Sequence, residues 1–322
     1  MTLDLDKAVN LFLNEKECFS ADKTVKYYRE NLRYFFEYLQ REYGKSTHDM
    51  TIDEIKHTDY NFYVKELRTR KKLSGRGEGK DKLSSATVKY YADPVKFFFK
   101  WLYEQEYLEA NISRKMKAVS RDKKILVPLF LDEIKSIDEH CNLKCSTGLR
   151  NYIMIHLMLD CGLRISETYN LKIQDVYFDK GFLHIKDSKH NKDRIVPLPS
   201  HLKSIMYKYI YLYRKHCDND YVLQNISGDH YTYEGAKNVV RRIRLKTGID
   251  RMKNHLFRHT FATSYVLCGG DVASLAVLLG HSDIGITNGY LHLANTYKLM
   301  GKDNFYKVDR VYLKRLNDTL VT

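Results

Sequence analysis

Six side chains in the second half of the chain have types and spacings that could do chemistry together. Arg164 stands in Cys161-Gly-Leu-Arg164-Ile-Ser-Glu167, just past a glycine that should stop a helix. His255 and Arg258 stand at i and i+3, on one face of an expected helix. His281 lies just past a second glycine stop, in Leu279-Gly280-His281, and Tyr290 follows nine residues later. Lys189 falls on the tip of an expected hairpin between the first two groups. A guanidinium keeps its charge at any working pH and can donate two hydrogen bonds to one anion. An imidazole can move protons near neutrality. A phenol, with a pKa of about 10, becomes a nucleophile only in a cationic neighbourhood or beside a base. Taken singly, each has an ordinary reading: an ion-paired or surface arginine, a helix-end histidine at 281, and one of 26 tyrosines at 290.

The whole-chain composition narrows the setting. Lysine and arginine outnumber aspartate and glutamate by 54 to 40, a net charge of +14. A field of that sign concentrates polyanions, so nucleic acid is the first candidate partner and an anionic membrane surface the second. A length of 322 residues suits two domains, and a hydrophobic fraction of 43% is that of a globular chain. Only 4 prolines and 16 glycines favour long helices. The six cysteines show no framework spacing, and no further ligand completes a zinc set around Cys141 and Cys145, so reduced thiols are expected. Neither a metal nor any other cofactor is expected. The acidic N-terminal stretch has no leader-peptide pattern, and no apolar run approaches the ~20 residues that span a bilayer. These features predict a soluble, cytoplasmic protein with no membrane partner.

The elements that must position these residues are mainly helical. Val25, Tyr28, Leu32, Phe35 and Leu39 share one helix face. Thr51 and Glu54 have capping-box spacing and predict a helix to about Leu67. Arg70 to Lys82 reads as a basic, glycine-bearing loop. Ser85 is expected to open a helix rich in aromatic residues, which Pro94 either kinks or divides. Its aromatic cluster reads as core rather than as a platform for stacking bases. In the second half, Asp132 is the expected N-cap of one helix. A dense apolar run predicts a buried helix over 147–161, stopped by Gly162. Short strands are expected at Val176–Phe178, Phe182–Ile185 and Arg194–Leu198, with turns at Asp179-Lys180-Gly181 and over Asp187 to Asn191. Helices follow over about 201–216, 233–246, 255–268 and 271–279, with a last one near 307–319 carrying Val308, Val311, Tyr312 and Leu316. The fold class is therefore mainly α with a small antiparallel β-sheet. The expected division is a helical domain over 1–110, a basic linker over 111–127 and a second domain over 128–322.

The stretches LDCGLRISETYNL, KHNKDRIVPL, NHLFRHTFAT and LLGHSDIGITNGY, in that order and at these separations, resemble the tyrosine recombinases: phage integrases, chromosome-dimer resolvases and transposon integrases. The similarity spans roughly residues 128–295, and the helical first block is similar to the family's core-binding domain in size and pattern. The resemblance implies a catalytic set of Arg164, Lys189, His255, Arg258, His281 and Tyr290. The two arginines would hold the oxygens of a phosphodiester while Tyr290 attacks phosphorus. Lys189 would protonate the departing 5′-oxygen, leaving a 3′-phosphotyrosine. The family often has Gly-Lys-Gly where this chain has Ser188-Lys189-His190, so Lys186 and Lys192 stay open as alternatives. Glu167 is expected to cap or to brace an arginine rather than to react. Gly289 stands where an apolar residue is common and would loosen the helix before Tyr290.

By the same resemblance the partner is double-stranded DNA, gripped between 1–110 and 128–322 by a homotetramer assembled on two sites, with accessory DNA-bending proteins as possible helpers. A tail over about 296–322 would dock on a neighbouring subunit or pack on its own domain. Within the family, the basic 70–82 insertion favours integration, excision or transposition of a mobile element over Xer-like resolution of chromosome or plasmid dimers. The rival readings are a catalytically degenerate DNA-binding protein and a type IB topoisomerase.

Overall fold

The computed structural model describes residues 3–72, 79–120, 122, 126–186, 193–281 and 284–299. Its contacts divide the chain into two compact units, Met1–Lys124 and Ile125–Thr322.

The first unit is helical. Helix α1 (Leu5–Phe19) starts where the Asp4 carboxylate accepts the Lys7 N–H at 2.8 Å. Helix α2 (Asp22–Tyr43) ends at Gly44, whose left-handed φ of 65° costs glycine nothing. Helices α3 (His57–Thr69) and α4 (Ser85–Glu104) complete the bundle. Thr51 to Glu54 does not open α3. Ile52–Glu54 forms a single 3-10 turn, held by the buried side chains of Ile52 and Ile55. α3 starts later, where Asp59 accepts the Lys56 N–H at 2.7 Å. Pro94 neither divides α4 nor strands a carbonyl. The Tyr90 carbonyl, which residue 94 would normally bond, accepts the Tyr27 hydroxyl at 3.1 Å instead. The aromatic residues of α4 split between two roles. Phe98, Phe99 and Trp101 join Phe12, Phe35 and Tyr63 in the core, while Tyr90, Phe97 and Tyr103 are exposed. In the basic segment after α4, Met116 and Val119 are buried in this same core, and Lys96 Nζ donates to the Met116 carbonyl at 2.6 Å.

The second unit is built around α6 (Ser146–Leu159), buried nearly all round as its continuous apolar run predicts. Helix α5 (Leu131–Glu139) packs nearby. Its first N–H to be capped is that of Phe130, and the acceptor is Glu133 at 2.9 Å, so Asp132 lies inside the first turn and is not the cap. The short α7 (Ile165–Asn170) leads to three antiparallel strands in the order β1 (Val176–Tyr177), β2 (Phe182–Ile185), β3 (Arg194–Pro197). Leu183 faces Val196 and Ile185 faces Arg194 across β2 and β3, and all four are buried. The turn over Asp187 to Asn191 lies outside the described residues. Helix α8 (Ser200–Lys208) continues into a π-turn over Tyr209–Tyr213. Then come α9 (Tyr233–Thr247), α10 (Asn254–Leu267), α11 (Val272–Leu279) and α12 (Ile284–Leu299). Phe261, Tyr265, Leu275, Leu278 and Ala294 close a smaller core among the last three helices. The helix expected near 307–319 lies outside the described residues. No helix among the described residues is long and apolar enough to cross a membrane.

Gly162 joins α6 to α7 with φ +64°, and a Cβ there would sit 2.5 Å from Phe261 Cδ1. Gly44 has nearly the same φ but open space around it. Gly44→Ala should therefore cost only its backbone strain, about 1 kcal/mol. Gly162→Ala should add a clash and cost more than about 3 kcal/mol. Urea unfolding checks both. Trp101, the one tryptophan, reports the first unit by fluorescence, and far-UV circular dichroism reports both. Equal losses would mean that the Phe261 contact yields without cost.

Candidate active site

The site is organised by the end of α11. An α-helix leaves its last carbonyls without helical partners. Here three consecutive ones each accept an arginine from a different part of the chain. The Leu278 carbonyl accepts Arg194 Nε at 2.7 Å, the Leu279 carbonyl accepts Arg258 Nη2 at 2.5 Å, and the Gly280 carbonyl accepts Arg164 Nη2 at 2.9 Å. Gly280 permits the turn, with φ 60°, and the His281 N–H closes it on the Ala276 carbonyl at 3.0 Å. Arg258 also donates through Nη1 to the Gly162 carbonyl at 2.8 Å, tying α10 to the turn before α7.

Glu167 completes the arrangement. It lies at the third position of α7, where its Oε2 accepts the Arg164 N–H at 2.7 Å and caps the helix. The same carboxylate accepts Arg164 Nη1 at 2.8 Å and Arg194 Nη1 and Nη2 at 2.9 and 2.7 Å, with Arg258 Nη1 at 3.8 Å. Burial pushes the Glu167 carboxyl up, but the hydrogen bonds and charge of Arg194, the Arg164 N–H and the Arg258 charge outweigh it and hold it below the ordinary 4.5. Three guanidiniums against one carboxylate leave the cluster cationic. Arg164 is its outer member, with its side chain 30% exposed, whereas the Arg194 side chain is 4% exposed and lies behind.

His281 feels that charge. Burial comes first, then Arg258, Arg164 and Arg194, and together they push its pKa down to about 4, so the imidazole is neutral at pH 7. Its Nδ1 is 2.9 Å from the hydroxyl oxygen of the buried Thr287, on α12. Tyr290 lies one turn further along α12, half-buried against the small core of α10–α12. Burial raises its pKa, and the Arg258 charge pulls the other way without reversing the shift. Its ring centroid is 5.2 Å from that of His259, whose Nε2 is 2.6 Å from the Leu126 carbonyl.

The structure thus brings Arg164, Arg258 and His281 onto one helix end and places Tyr290 within the field of Arg258. His255 is exposed in the first turn of α10, one turn before Arg258. Lys189 and Lys192 lie outside the described residues. Lys186 is engaged with Asp175, Nζ to Oδ1 at 2.7 Å, and that hydrogen bond raises its pKa. Two contributors are absent from the sequence reading. Arg194 is legible in principle, because its position repeats every second residue with the buried Val196 while Ile195 faces out, and a charge on the inner face of a strand requires a partner. His259 carried no local signal beyond standing next to Arg258.

Residues 129–296 match the model of the phage integrase family. Over 298 residues the chain is 26% identical to tyrosine recombinase XerC of Anoxybacillus flavithermus, covering 90% of this chain and 94% of the relative. It is 27% identical to tyrosine recombinase XerD of Listeria monocytogenes over 286 residues, 87% of this chain and 90% of the relative. Among solved structures, a XerH site-specific recombinase bound to its palindromic difH substrate superposes with a TM-score of 0.66 at 23% identity, covering 92% of this chain and 82% of that one. A Tn1549 transposon integrase in complex with circular intermediate DNA gives 0.69 at 17%, covering 93% and 100%. Both show a shared fold. The chain belongs to the phage integrase family: it is a tyrosine recombinase, an enzyme that cleaves and rejoins DNA strands.

The depressed His281 pKa has a measurable sign. The unfolded imidazole takes up a proton below about 6.5, while the folded one waits until about 4. The stabilising contribution is therefore present above 6.5 and is lost as the pH falls through that interval. Side-chain NMR of the folded protein should show His281 neutral at pH 5.5. Arg258→Met should move its midpoint up toward 6.5, since Arg258 is the largest charge acting on it. A wild-type midpoint near 6.5 would contradict the cationic cluster.

Proposed function

We propose that this recombinase is site-specific and works through a 3′-phosphotyrosyl intermediate on Tyr290. The observation that carries the reading is the fixed pair Arg164 and Arg258 on the end of α11, with Tyr290 in the field of Arg258. Attack on a phosphodiester builds negative charge on the equatorial oxygens. Prepositioned guanidiniums stabilise that charge without reorganising, and losing one such donor typically costs ~3 kcal/mol. The Tyr290 oxygen bonds to phosphorus as the 5′-oxygen leaves and takes a proton. His255, one turn before Arg258, and the neutral His281 are the candidates for accepting the phenol proton or steadying the phosphoryl group. Lys189 is the proposed proton donor, and the engagement of Lys186 with Asp175 favours it over that alternative. A second 5′-hydroxyl then reverses the step, so one ester replaces another and the linkage energy is conserved.

The proposed substrate is double-stranded DNA, bound by a homotetramer of a soluble, cytoplasmic protein. The proposed role is integration and excision of a mobile element, on the strength of the basic 70–82 insertion. A second reading, resolution of chromosome or plasmid dimers, is favoured by the similarity to XerC and XerD along about nine-tenths of the chain. Mapping covalent attachment in the host genome separates the two: element ends support the first, a single chromosomal site the second.

A nicked suicide substrate tests the chemistry. The protein should form a covalent DNA adduct, and Tyr290→Phe should abolish the adduct while DNA binding persists. An undiminished adduct in that variant would place the nucleophile elsewhere.

A further inference from the structure

The second unit holds a group of metal-ligating side chains that the recombination chemistry does not use. His156 and Asp160 lie one turn apart at the end of α6, and His201 lies in the first turn of α8. His156 Nδ1 is 2.7 Å from Asp160 Oδ2, and His201 Nε2 is 3.0 Å from the same oxygen. One ligand atom from each of the three falls within 4.8 Å of the others. The remaining ring nitrogen of His156 is 2.9 Å from Asp138 Oδ1, and the Tyr152 ring stacks on the imidazole at 3.9 Å. His156 and Asp160 are buried, while His201 is exposed.

These features meet the requirements of a metal site one by one. Two imidazoles and a carboxylate form a three-ligand set with a fourth position left for water. Asp138 is the outer carboxylate that fixes the ring orientation of a ligating histidine and raises its basicity. Tyr152 walls the site, and the exposed His201 side gives an entry path. Ligand atoms around tetrahedral zinc, at bonds of about 2.0–2.1 Å, stand about 3.3 Å from one another. The two contacts to Asp160 Oδ2, at 2.7 and 3.0 Å, therefore need to lengthen by roughly half an ångström, while the two imidazole nitrogens, which lie within 4.8 Å of each other, settle to the same separation through rotation of the exposed His201 side chain.

We infer that His156, Asp160 and His201 bind a divalent transition-metal ion, Zn²⁺ fitting the two-nitrogen, one-oxygen donor set best, and that the ion fastens the end of α6 to the start of α8. The proton on His156 Nδ1 leaves to solvent as the ion enters, and the hydrogen that His201 Nε2 shares with Asp160 moves to His201 Nδ1, which faces solvent, so that Nε2 can bind the ion. Asp160 is two residues before Gly162, whose carbonyl holds Arg258, so the ion stiffens the segment that delivers Arg164 to the cluster. The site is structural and independent of the reading of Tyr290. The sequence pattern hides it, because His156 and Asp160 sit in and at the end of an apolar helix and His201 lies 41 residues beyond Asp160.

The test uses the full chain, stripped with a chelator and titrated with Zn²⁺ by calorimetry and thermal unfolding, and with Co²⁺ by absorption. The wild type should take up a single tight ion with a rise in Tm. Its Co²⁺ form should show ligand-field bands without thiolate charge transfer. His201→Gln keeps a hydrogen-bond donor for Asp160 but is a poor ligand. It should weaken binding by roughly ten-fold or more and lose the Tm rise relative to its own ion-free state. Absence of stoichiometric binding, unchanged affinity in His201→Gln, or thiolate bands that vanish when the cysteines are alkylated would each overturn the assignment.

Discussion

Three unpaired carbonyls at the end of α11 and one buried carboxylate hold three guanidiniums that would otherwise repel one another. This is the constraint on which the site depends. Arg164 comes from the turn after α6, Arg194 from β3 and Arg258 from α10, and each is bound both to the helix end and to, or close to, Glu167. The C-terminal end of a helix carries a partial charge of about −0.5, and Glu167 adds a full one. The balance stays positive, so the cluster attracts an anion. Glu167 is a positioning residue in this scheme: it touches arginines, not the reacting atoms.

The same balance sets the protonation states around it. His281, beside the cluster, is kept neutral and so can accept as well as donate a hydrogen bond. Tyr290 is held by packing against α10 and α11 with its phenol above the ordinary range, because burial outweighs the Arg258 charge. At neutral pH the phenol therefore stays protonated. In the proposed reaction it is released when a proton acceptor and the phosphodiester arrive together, which couples attack to the presence of substrate. His259 holds the tyrosine ring from one side and is anchored to the Leu126 carbonyl, so the position of Tyr290 depends on the first residues of the second unit.

Much of this was legible in the sequence where one local rule decided the outcome. The apolar run of α6, the period-two strands and the glycine stops at Gly162 and Gly280 each specify backbone geometry by themselves, and the structure follows them. The expectation fails at Thr51 and Asp132, where residue type and spacing alone suggest the cap. At both places a carboxylate further along, Asp59 or Glu133, captured the N–H that matters. Arg194 is hidden in the sequence for a different reason. Its partners, Glu167 and Leu278, are distant in sequence, and only the folded chain reveals that a strand residue closes the cluster. Lys189 and the 307–319 stripe lie outside the described residues.

The central claim is that Glu167 and Arg194 act as one device to fix the pair Arg164 and Arg258. A double-mutant cycle on the single-turnover cleavage rate at saturating DNA measures this directly, with Glu167→Gln, Arg194→Met and the double variant compared in folded protein. Each single change should slow cleavage by roughly ten- to a hundred-fold, and the double should be no slower than the worse single, the signature of residues that work through each other. Independent, multiplying losses, or cleavage at the wild-type rate in either variant, would contradict the account.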